Sequence, residues 1–270
     1  MAVSNSNLAI ITITILLMLL NRACSLNSLG FSFDNYFHQE ERNLILQGDA
    51  KISQTNTLQL TSTPNKVVGR VLHSFQLQLW DKSTNKLASF DSQFSFVLTS
   101  PVRGPADGIA FFITSPNSTI PQNSGGGYLG LFNSKTALSN TSSNQVVAVE
   151  FDTYINPTYD PNYNHIGIDI NSIKSSKLVR WDRRENETLD VLVSYHAETQ
   201  TLEVKANYPD GQSYEVSHEI DLRTVLPEWV RVGFSASSGN QYQSHSVLSW
   251  SFYSGLYYIG HKNEYLASDI

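Results

Sequence analysis

The sequence contains few charged residues and almost no cysteine. Asp, Glu, Lys and Arg make up 16% of its 270 residues, and there is one cysteine. Soluble domains carry about 25% charged residues, so this composition argues against disorder, coiled coils and charged helical bundles. A single cysteine excludes an internal disulfide framework and a cysteine-based zinc site. The formal net charge of −6 offers no basic surface, so we expect no nucleic-acid partner.

The sequence also lacks the periodicity of amphipathic helices. Apolar residues instead alternate with polar ones, as at Leu189, Val191 and Val193, which is typical of half-buried strands. Residues 108–113 and 146–151 are continuous apolar runs except for Glu150, which is typical of strands buried on both faces. Many short strands without helices predict an all-β, antiparallel sandwich or barrel, and the length suits one large domain.

A short apolar segment precedes this pattern, at residues 8–20. It is too short to span a bilayer but suits the apolar core of a signal peptide, although no Lys or Arg precedes it. Ala23 and Ser25 are small residues at the positions that a signal peptidase requires. We therefore predict a signal peptide at residues 1–25, the alternatives being a buried strand or an uncleaved anchor. Cys24 would leave with it, and no later apolar run predicts membrane insertion.

Three sequons agree with passage through the secretory route, to an extracellular or vacuolar destination. Their acceptor residues are Asn117, Asn140 and Asn186, which we expect on surface loops if they are glycosylated. The domain itself is predicted over residues 26–256. The tail at residues 257–270 loses the alternation and carries mixed charge, so we expect it to be frayed or trimmed.

Acidic residues concentrate in one segment, residues 146–170. Glu150 and Asp152 share one strand face, where two carboxylates repel each other unless a cation lies between them. Asn156, Asp160 and His165 follow within the same segment. Oxygen ligands suit calcium, and an added imidazole suits a transition ion such as manganese. The alternative is a solvated acidic loop beside a histidine at the end of a strand.

The motifs in and around this segment resemble those of the legume lectin family, in the non-permuted order. The matching blocks are Val147-Ala-Val-Glu-Phe-Asp-Thr-Tyr, His165-Ile-Gly-Ile-Asp-Ile-Asn-Ser-Ile, Pro105-Ala-Asp-Gly-Ile-Ala-Phe-Phe, Gly125-Gly-Gly-Tyr-Leu-Gly-Leu-Phe, Leu226-Pro-Glu-Trp-Val-Arg-Val-Gly-Phe-Ser and Leu248-Ser-Trp-Ser-Phe. The resemblance extends from about residue 29 to about residue 256. It implies a concanavalin-like jelly-roll sandwich of flat and curved antiparallel sheets.

The resemblance also implies two metal ions, calcium and manganese. The manganese ligands would be Glu150, Asp152, Asp160 and His165, with Ser175 holding a manganese-bound water. The calcium ligands would be Asp152, the Tyr154 carbonyl, Asn156 and Asp160. These ions would perform no chemistry, but would hold a loop so that sugar-binding groups are preorganised.

Four loops would build the sugar site by the same resemblance. The Ala106–Asp107 peptide would be cis, and the Asp107 carboxylate would accept hydrogen bonds from two sugar hydroxyls. The remaining contacts would come from the Asn156 amide, the Gly127 N–H, the backbone of Asn240 and Gln241, and the Tyr154 ring stacked on the sugar. Taken singly, Asp107 reads as a turn residue, the glycine triplet as a linker and Tyr154 as core.

The expected ligands are mannose, glucose and mannose-rich glycans on oligosaccharides and glycoproteins, because the fourth loop has the compact length of mannose/glucose-binding members. The alternatives are a galactose-type lectin, a secreted storage protein of the same fold and a jelly-roll glycanase. The glycanase would need a Glu-x-Asp-x-Glu run, and Tyr154 stands where the third acid is required. We therefore expect a lectin and not an enzyme. Family members commonly pair through their flat sheets, which implies a homodimer or homotetramer.

Overall fold

A computed structural model describes residues 28–34, 37–62, 66–100, 104–241 and 243–258. Within these residues the regular structure is antiparallel strand, apart from short 3-10 turns at Glu41–Asn43, Gly126–Tyr128 and Leu222–Thr224. The all-β prediction is confirmed. The predicted signal peptide lies outside the described residues. No helix in the described part of the chain has the length and apolarity needed to cross a bilayer.

The strands of the described residues form two sheets. The larger sheet has nine strands, which are β1 (Ser28–Asp34), β3 (Lys51–Ile52), β4 (Leu58–Thr61), β7 (Trp80–Asp81), β8 (Lys86–Thr99), β13 (Thr188–His196), β14 (Thr201–Asn207), β15 (Ser213–Glu219) and β17 (Ser244–Tyr258). Their order is β15-β14-β13-β8-β17-β4-β3, with β1 paired to β17 and β7 paired to β8.

The second sheet has eight strands in the described residues, in the order β12-β11-β10-β9-β16-β5-β2, with β6 paired to β16. These strands are β2 (Leu44–Gly48), β5 (Val68–His73), β6 (Leu77–Gln78), β9 (Gly108–Thr114), β10 (Val146–Asp152), β11 (His165–Ile170), β12 (Lys177–Arg180) and β16 (Trp229–Ser237). Two antiparallel sheets facing each other across an apolar layer are the predicted sandwich.

Aromatic side chains from both sheets meet in the layer between them. Phe94 of β8 and Trp250 of β17 pack edge-on against Phe234 of β16, with ring centroids 4.9 and 4.8 Å away. Phe151 of β10 packs against Phe96 of β8 at 4.9 Å. Edge-to-face geometry at these separations is favourable beyond the area buried. The two sheets are therefore held together by interlocking rings.

Strands β9 and β10 are buried on both faces, as the sequence predicts. Phe111 and Val149 point into the layer between the sheets. Phe112 and Ala148 point the other way, into a second cluster with residues such as Leu129, from the loop that follows the glycine triplet. This loop covers the outer face of the sheet, which explains the continuous apolar runs.

Strand β17 continues further than the sequence predicts. Tyr257 and Tyr258 pair with Leu87 and Lys86 of β8, so the strand enters the predicted tail. Loss of local alternation does not end a strand that still has a long partner beside it. The rest of the predicted tail, residues 259–270, lies outside the described residues.

Candidate functional site

The ends of three adjacent strands bring the candidate site residues together. Strand β9 begins at Gly108, which lies opposite Asp152 at the end of β10 and opposite Ser237 at the end of β16. The loops that leave these ends carry Asp107, Asn156 and Asn240. Antiparallel pairing thus places segments that are distant in sequence at one edge of the eight-stranded sheet.

A buried cluster of Glu150, Asp152 and His165 lies beneath these loops. One ligand atom from each residue lies within 4.8 Å of the other two, a geometry that can hold a metal ion. Strand register produces the cluster, because Asp152 lies opposite His165 and Glu150 lies opposite Gly167. His165 Nε2 is 3.1 Å from Glu150 Oε1. Three of the metal ligands that the resemblance implies are therefore brought within 4.8 Å of one another.

Asp160 and Asn156 lie on the loop that leaves β10. Asp160 Oδ2 accepts a hydrogen bond from the Asn156 backbone N–H at 2.7 Å, and Asp152 Oδ1 accepts one from the Tyr154 N–H at 2.7 Å. These two bonds fold the loop back over the cluster. Asn156 Oδ1 and Glu150 Oε2 are buried without a hydrogen-bond partner among the described residues. Buried oxygens of this kind are what a cation satisfies, so the residues fit a metal site.

Burial of acids close together perturbs their ionisation. Burial, together with the charges of Glu150 and Asp160, raises the pKa of the Asp152 carboxyl well above its usual value. Burial also raises the pKa of Asp160 to about 7. Burial opposes the charged form of His165, but the hydrogen bond and charge of Glu150, together with the charge of Asp160 and a hydrogen bond to the Tyr163 backbone, outweigh it and raise the pKa of the imidazole. A cation would supply the charge that lets these carboxyls ionise.

Ser175 lies against the cluster, as the resemblance implies. Its hydroxyl donates to Glu150 Oε1 at 2.5 Å and also contacts Asp169 Oδ1 at 2.9 Å. A side chain at Gly167 would place its Cβ 2.0 Å from the Ser175 hydroxyl, so glycine is required there. Sequence reasoning missed Asp169, which is fully buried. The signal was present, because His165, Gly167 and Asp169 alternate along β11 and so share one face.

Asp107 lies at the centre of the four loops. The Ala106–Asp107 peptide is cis, as the resemblance implies. The Asp107 N–H donates to the Ser237 carbonyl and its carbonyl accepts from the Thr153 N–H, both at 3.0 Å. Burial raises the pKa of its carboxyl to about 7, against the opposing hydrogen bond from the Gly239 backbone. The Asp107 Oδ2 atom is buried without a hydrogen-bond partner among the described residues.

Glycines allow the other loops to approach Asp107. A Cβ at Gly239 would lie 3.0 Å from Asp107 Oδ2. A Cβ at Gly127 would lie 2.3 Å from Asn156 Oδ1 and 2.5 Å from the Tyr159 hydroxyl oxygen. Only glycine fits at either position without displacing a neighbour. Asp107, Gly127 and Asn156 are therefore brought together, in the combination that the resemblance implies for sugar binding.

The remaining candidate residues lie at the rim of the site. Asn240 and Gln241 are exposed on the fourth loop, and the Gln241 amide lies over Gly104 of the Asp107 loop. The Tyr154 side chain is 39% exposed, so it lies outside the core and its ring is accessible to a ligand. The three sequon asparagines, Asn117, Asn140 and Asn186, are all exposed and lie outside regular structure.

Comparison with known proteins identifies the family. The profile of the legume lectin domain matches residues 28–263. The chain belongs to the legume lectin family. It is 56% identical to the alpha-methyl-mannoside-specific lectin of Arachis hypogaea over 268 residues, which cover 96% of this chain and 95% of the relative. It is 59% identical to the mannose/glucose-specific lectin of Centrolobium tomentosum over 245 residues, covering 87% and 99%.

Solved structures agree with the fold. The lectin UEA-II complexed with galactose is 45% identical to this chain, with a TM-score of 0.80, over 85% of this chain and 99% of the other. The expected jelly-roll sandwich is thus confirmed. The relatives also confirm a carbohydrate-binding lectin rather than an enzyme. A legume lectin with a cluster able to hold metal is the conclusion that the fold, site and relatives support together.

Proposed function

We propose that this legume lectin binds mannose, glucose and mannose-rich glycans at the loops around Asp107, without catalysis. The observation that carries the proposal is the convergence of Asp107, Gly127 and Asn156, which combines a buried carboxylate acceptor, a backbone donor and an amide. Two relatives, the alpha-methyl-mannoside-specific lectin of Arachis hypogaea and the mannose/glucose-specific lectin of Centrolobium tomentosum, support this choice of sugar. Stacking of the exposed Tyr154 ring on the apolar face of the sugar would add binding area.

We propose calcium and manganese as the resident ions. Glu150, Asp152, Asp160 and His165 are the residues that would hold manganese, because one imidazole among carboxylates suits a transition ion. The residues that would hold calcium are Asp152, Tyr154 through its carbonyl, Asn156 and Asp160, an all-oxygen set. When bound, the ions would supply positive charge and fix the loop, and the sugar contacts would come from the protein's own residues. Metal analysis of dialysed protein tests the assignment, with both ions expected and zinc or magnesium alone contradicting it.

Calorimetry with methyl mannoside and methyl galactoside tests the choice of sugar. The galactose-type alternative has support of its own, since a 45% identical structure was solved with galactose. We expect mannoside to bind and galactoside not to bind, while the reverse result would overturn the proposal. Asp107→Asn should abolish mannoside binding, because an amide nitrogen replaces one acceptor oxygen. Asp190→Asn, at an exposed position on β13 of the other sheet, is the matched control.

We further propose that the protein enters the secretory pathway, to an extracellular or vacuolar site such as the seed protein-storage vacuole, and forms a homodimer or homotetramer. The apolar segment at residues 8–20 and the three sequons support the route. Amino-terminal sequencing of the purified protein should begin at Leu26, and light scattering should give a dimer or tetramer. A retained Met1 or a monomer would contradict the corresponding part. A storage role remains compatible with sugar binding.

A further inference from the structure

The carbonyl groups of the glycine loop are held by side chains from other parts of the fold. The Ser237 hydroxyl donates to the Gly126 carbonyl, and the Tyr159 hydroxyl donates to the Gly127 carbonyl at 3.0 Å. Further along the loop, the Ser235 hydroxyl donates to the Leu129 carbonyl at 2.5 Å. A glycine-rich segment would otherwise have wide conformational freedom, and Gly126 already adopts φ of 66°. Side-chain hydroxyls thus fix the loop at three of its peptides.

Two of these bonds lie on either side of the Gly127 α-carbon. The Gly126 carbonyl and the Gly127 N–H belong to one peptide unit, which is planar and trans. In a trans peptide these two groups point in opposite directions. A donor that fixes the Gly126 carbonyl therefore also fixes the direction of the Gly127 N–H. The hydrogen bond from Tyr159 fixes the following peptide. Neither of the two peptides that flank Gly127 can therefore rotate without breaking a hydrogen bond.

Ser237 connects this loop to the carboxylate that would bind the sugar. Its side chain is fully buried at the end of β16. Its hydroxyl donates to the Gly126 carbonyl, while its own carbonyl accepts from the Asp107 N–H at 3.0 Å. One residue thereby sets the relative positions of two ligand-binding loops. The Tyr159 hydroxyl likewise connects the Gly127 carbonyl to the loop that carries Asn156.

We propose that Ser237 and Tyr159 are positioning residues for sugar binding, whose hydroxyls hold the two peptides around Gly127 and direct its N–H toward the bound sugar. They do not contact the sugar themselves. The inference rests on the proposed function, since it concerns the same site. Its physical effect is preorganisation, because a donor held in place in the free protein needs no further ordering when the ligand binds.

Calorimetry of methyl mannoside on calcium- and manganese-loaded Ser237→Ala and Tyr159→Phe tests the proposal. Each variant removes one hydroxyl and keeps the rest of the side chain. We expect affinity to fall about threefold to tenfold, the scale of one net hydrogen bond. Ser235→Ala is the matched control, because it removes a similar buried hydroxyl from a peptide that does not flank Gly127, and its affinity should stay within about twofold of native. Unchanged affinity in Ser237→Ala, or an equal loss in Ser235→Ala, would overturn the proposal.

A panel of monodeoxy methyl mannosides separates positioning from general loosening. For the analogue that lacks the hydroxyl bound by the Gly127 N–H, native and Ser237→Ala proteins should have equal affinity, because the interaction is already lost. For the other analogues the difference should persist. The same loss with every analogue would contradict the proposal.

A sugar-independent measurement distinguishes this inference from the proposed function. Failure of the native protein to bind mannoside contradicts the proposed function. The Leu129 N–H also donates to the Gly126 carbonyl, at 3.0 Å, and is the donor that remains in Ser237→Ala. In a crystal structure of this variant, the 126–127 peptide should therefore be rotated from its native orientation or occupy several orientations. A single native orientation would overturn the role of Ser237 whether or not sugar binds.

Discussion

Strand β10 has two faces with opposite physical character. Val147, Val149 and Phe151 point into the apolar layer between the sheets, where Phe151 meets rings from β8. Glu150 and Asp152 point the other way, into a buried cluster of like charges around His165. Burial of the first face stabilises the fold, whereas burial of the second face costs free energy until a cation balances the charge. One strand therefore joins a structural core to a functional site.

The two faces should respond differently to substitution. Apolar side chains of similar volume can replace one another in a core at modest cost. A ligand set depends on specific atoms at specific distances, and a conservative change removes its function. Stability should accordingly follow the apolar face, and metal and sugar binding should follow the acidic face.

The largest effect is expected for Asp152→Asn. An amide cannot replace the carboxylate that both ions would share, so mannoside affinity should fall by more than about 100-fold, beyond the effect of losing an outer partner of a ligand. Metal content and calorimetry are the measurements. The metal-free variant should be at least as resistant to urea as metal-free native protein, because one of the repelling buried carboxyls is gone. A variant that keeps both ions and its sugar affinity would contradict the contrast between the faces.

Phe151→Ala should show the opposite pattern. Removing a fully buried ring leaves a cavity, so the free energy of unfolding should fall by about 3–5 kcal/mol. Folded protein should still bind metal, because Glu150, Asp152 and His165 lie on the other face. Urea unfolding with a parallel metal titration checks both statements. Phe151→Leu is the control, with a smaller loss expected, and an equal loss in the two variants would argue against a close-packed ring site.

The stabilisation that metal provides should increase between pH 4 and pH 7. In metal-free protein the pKa values of Asp107 and Asp160 are about 7, against about 3.9 in an unfolded chain, so the folded state holds protons that the unfolded state has lost. The unfolding free energy then falls as pH rises through this window, by at most about 1.4 kcal/mol per pH unit for each carboxyl, and by less for Asp160, which is partly exposed and screened by solvent. Bound metal removes the part of this loss that comes from Asp160, because it would bind the ionised Asp160 carboxylate. Asp107 is not one of the residues that would hold metal, so its direct contribution is present with and without metal.

The measurement for this prediction is the difference in unfolding free energy between metal-loaded and metal-free protein at several pH values. Two buried histidines act in the opposite direction, since burial lowers the pKa of His73 to about 4 and that of His245 to about 3. The stability that these two neutral histidines contribute is lost as pH falls below about 6.5. This change in unfolding free energy is the same with and without metal, so it cancels in the difference. A difference that does not change with pH would contradict the electrostatic account.

The smallest effect is expected for Tyr154→Ala at the rim. The backbone carbonyl that would bind calcium is kept, and only the stacking ring is lost, which corresponds to a weakening of about twofold to tenfold. Ile155→Ala is a matched control, since the two neighbouring side chains are both 39% exposed. Calorimetry with methyl mannoside measures both variants. An equal change of affinity in the two variants would contradict stacking of the Tyr154 ring on the sugar.

Local patterns in the sequence predict the apolar face of β10 and much of the sandwich. Alternation identifies core positions such as Leu189 and Val191, and the continuous apolar run identifies β9 as buried on both faces. Alternation also places Glu150 and Asp152 on one face. These features depend on the period of a strand, which can be read from adjacent residues.

The hydrogen bonds that hold the loops of the site in place could not be predicted in this way. Ser237 reaches the glycine loop because β16 lies beside β9, and the donor and acceptor are 111 residues apart in sequence. The hydrogen bond from the Tyr159 hydroxyl to the Gly127 carbonyl also joins residues that are distant in sequence. Strand order and register decide such contacts, and alternation does not encode them. The family resemblance implies which residues bind metal and sugar, whereas the hydrogen bonds that position these residues are seen in the structure.

The most direct test of this account is the calorimetric titration of methyl mannoside into one sample in three states. These are protein with calcium and manganese, the same protein after chelation and dialysis, and the protein after both ions are restored. We expect binding in the first state, none in the second and full recovery in the third. Undiminished sugar binding by the metal-free protein would contradict the claim that the acidic face of β10 organises the sugar site.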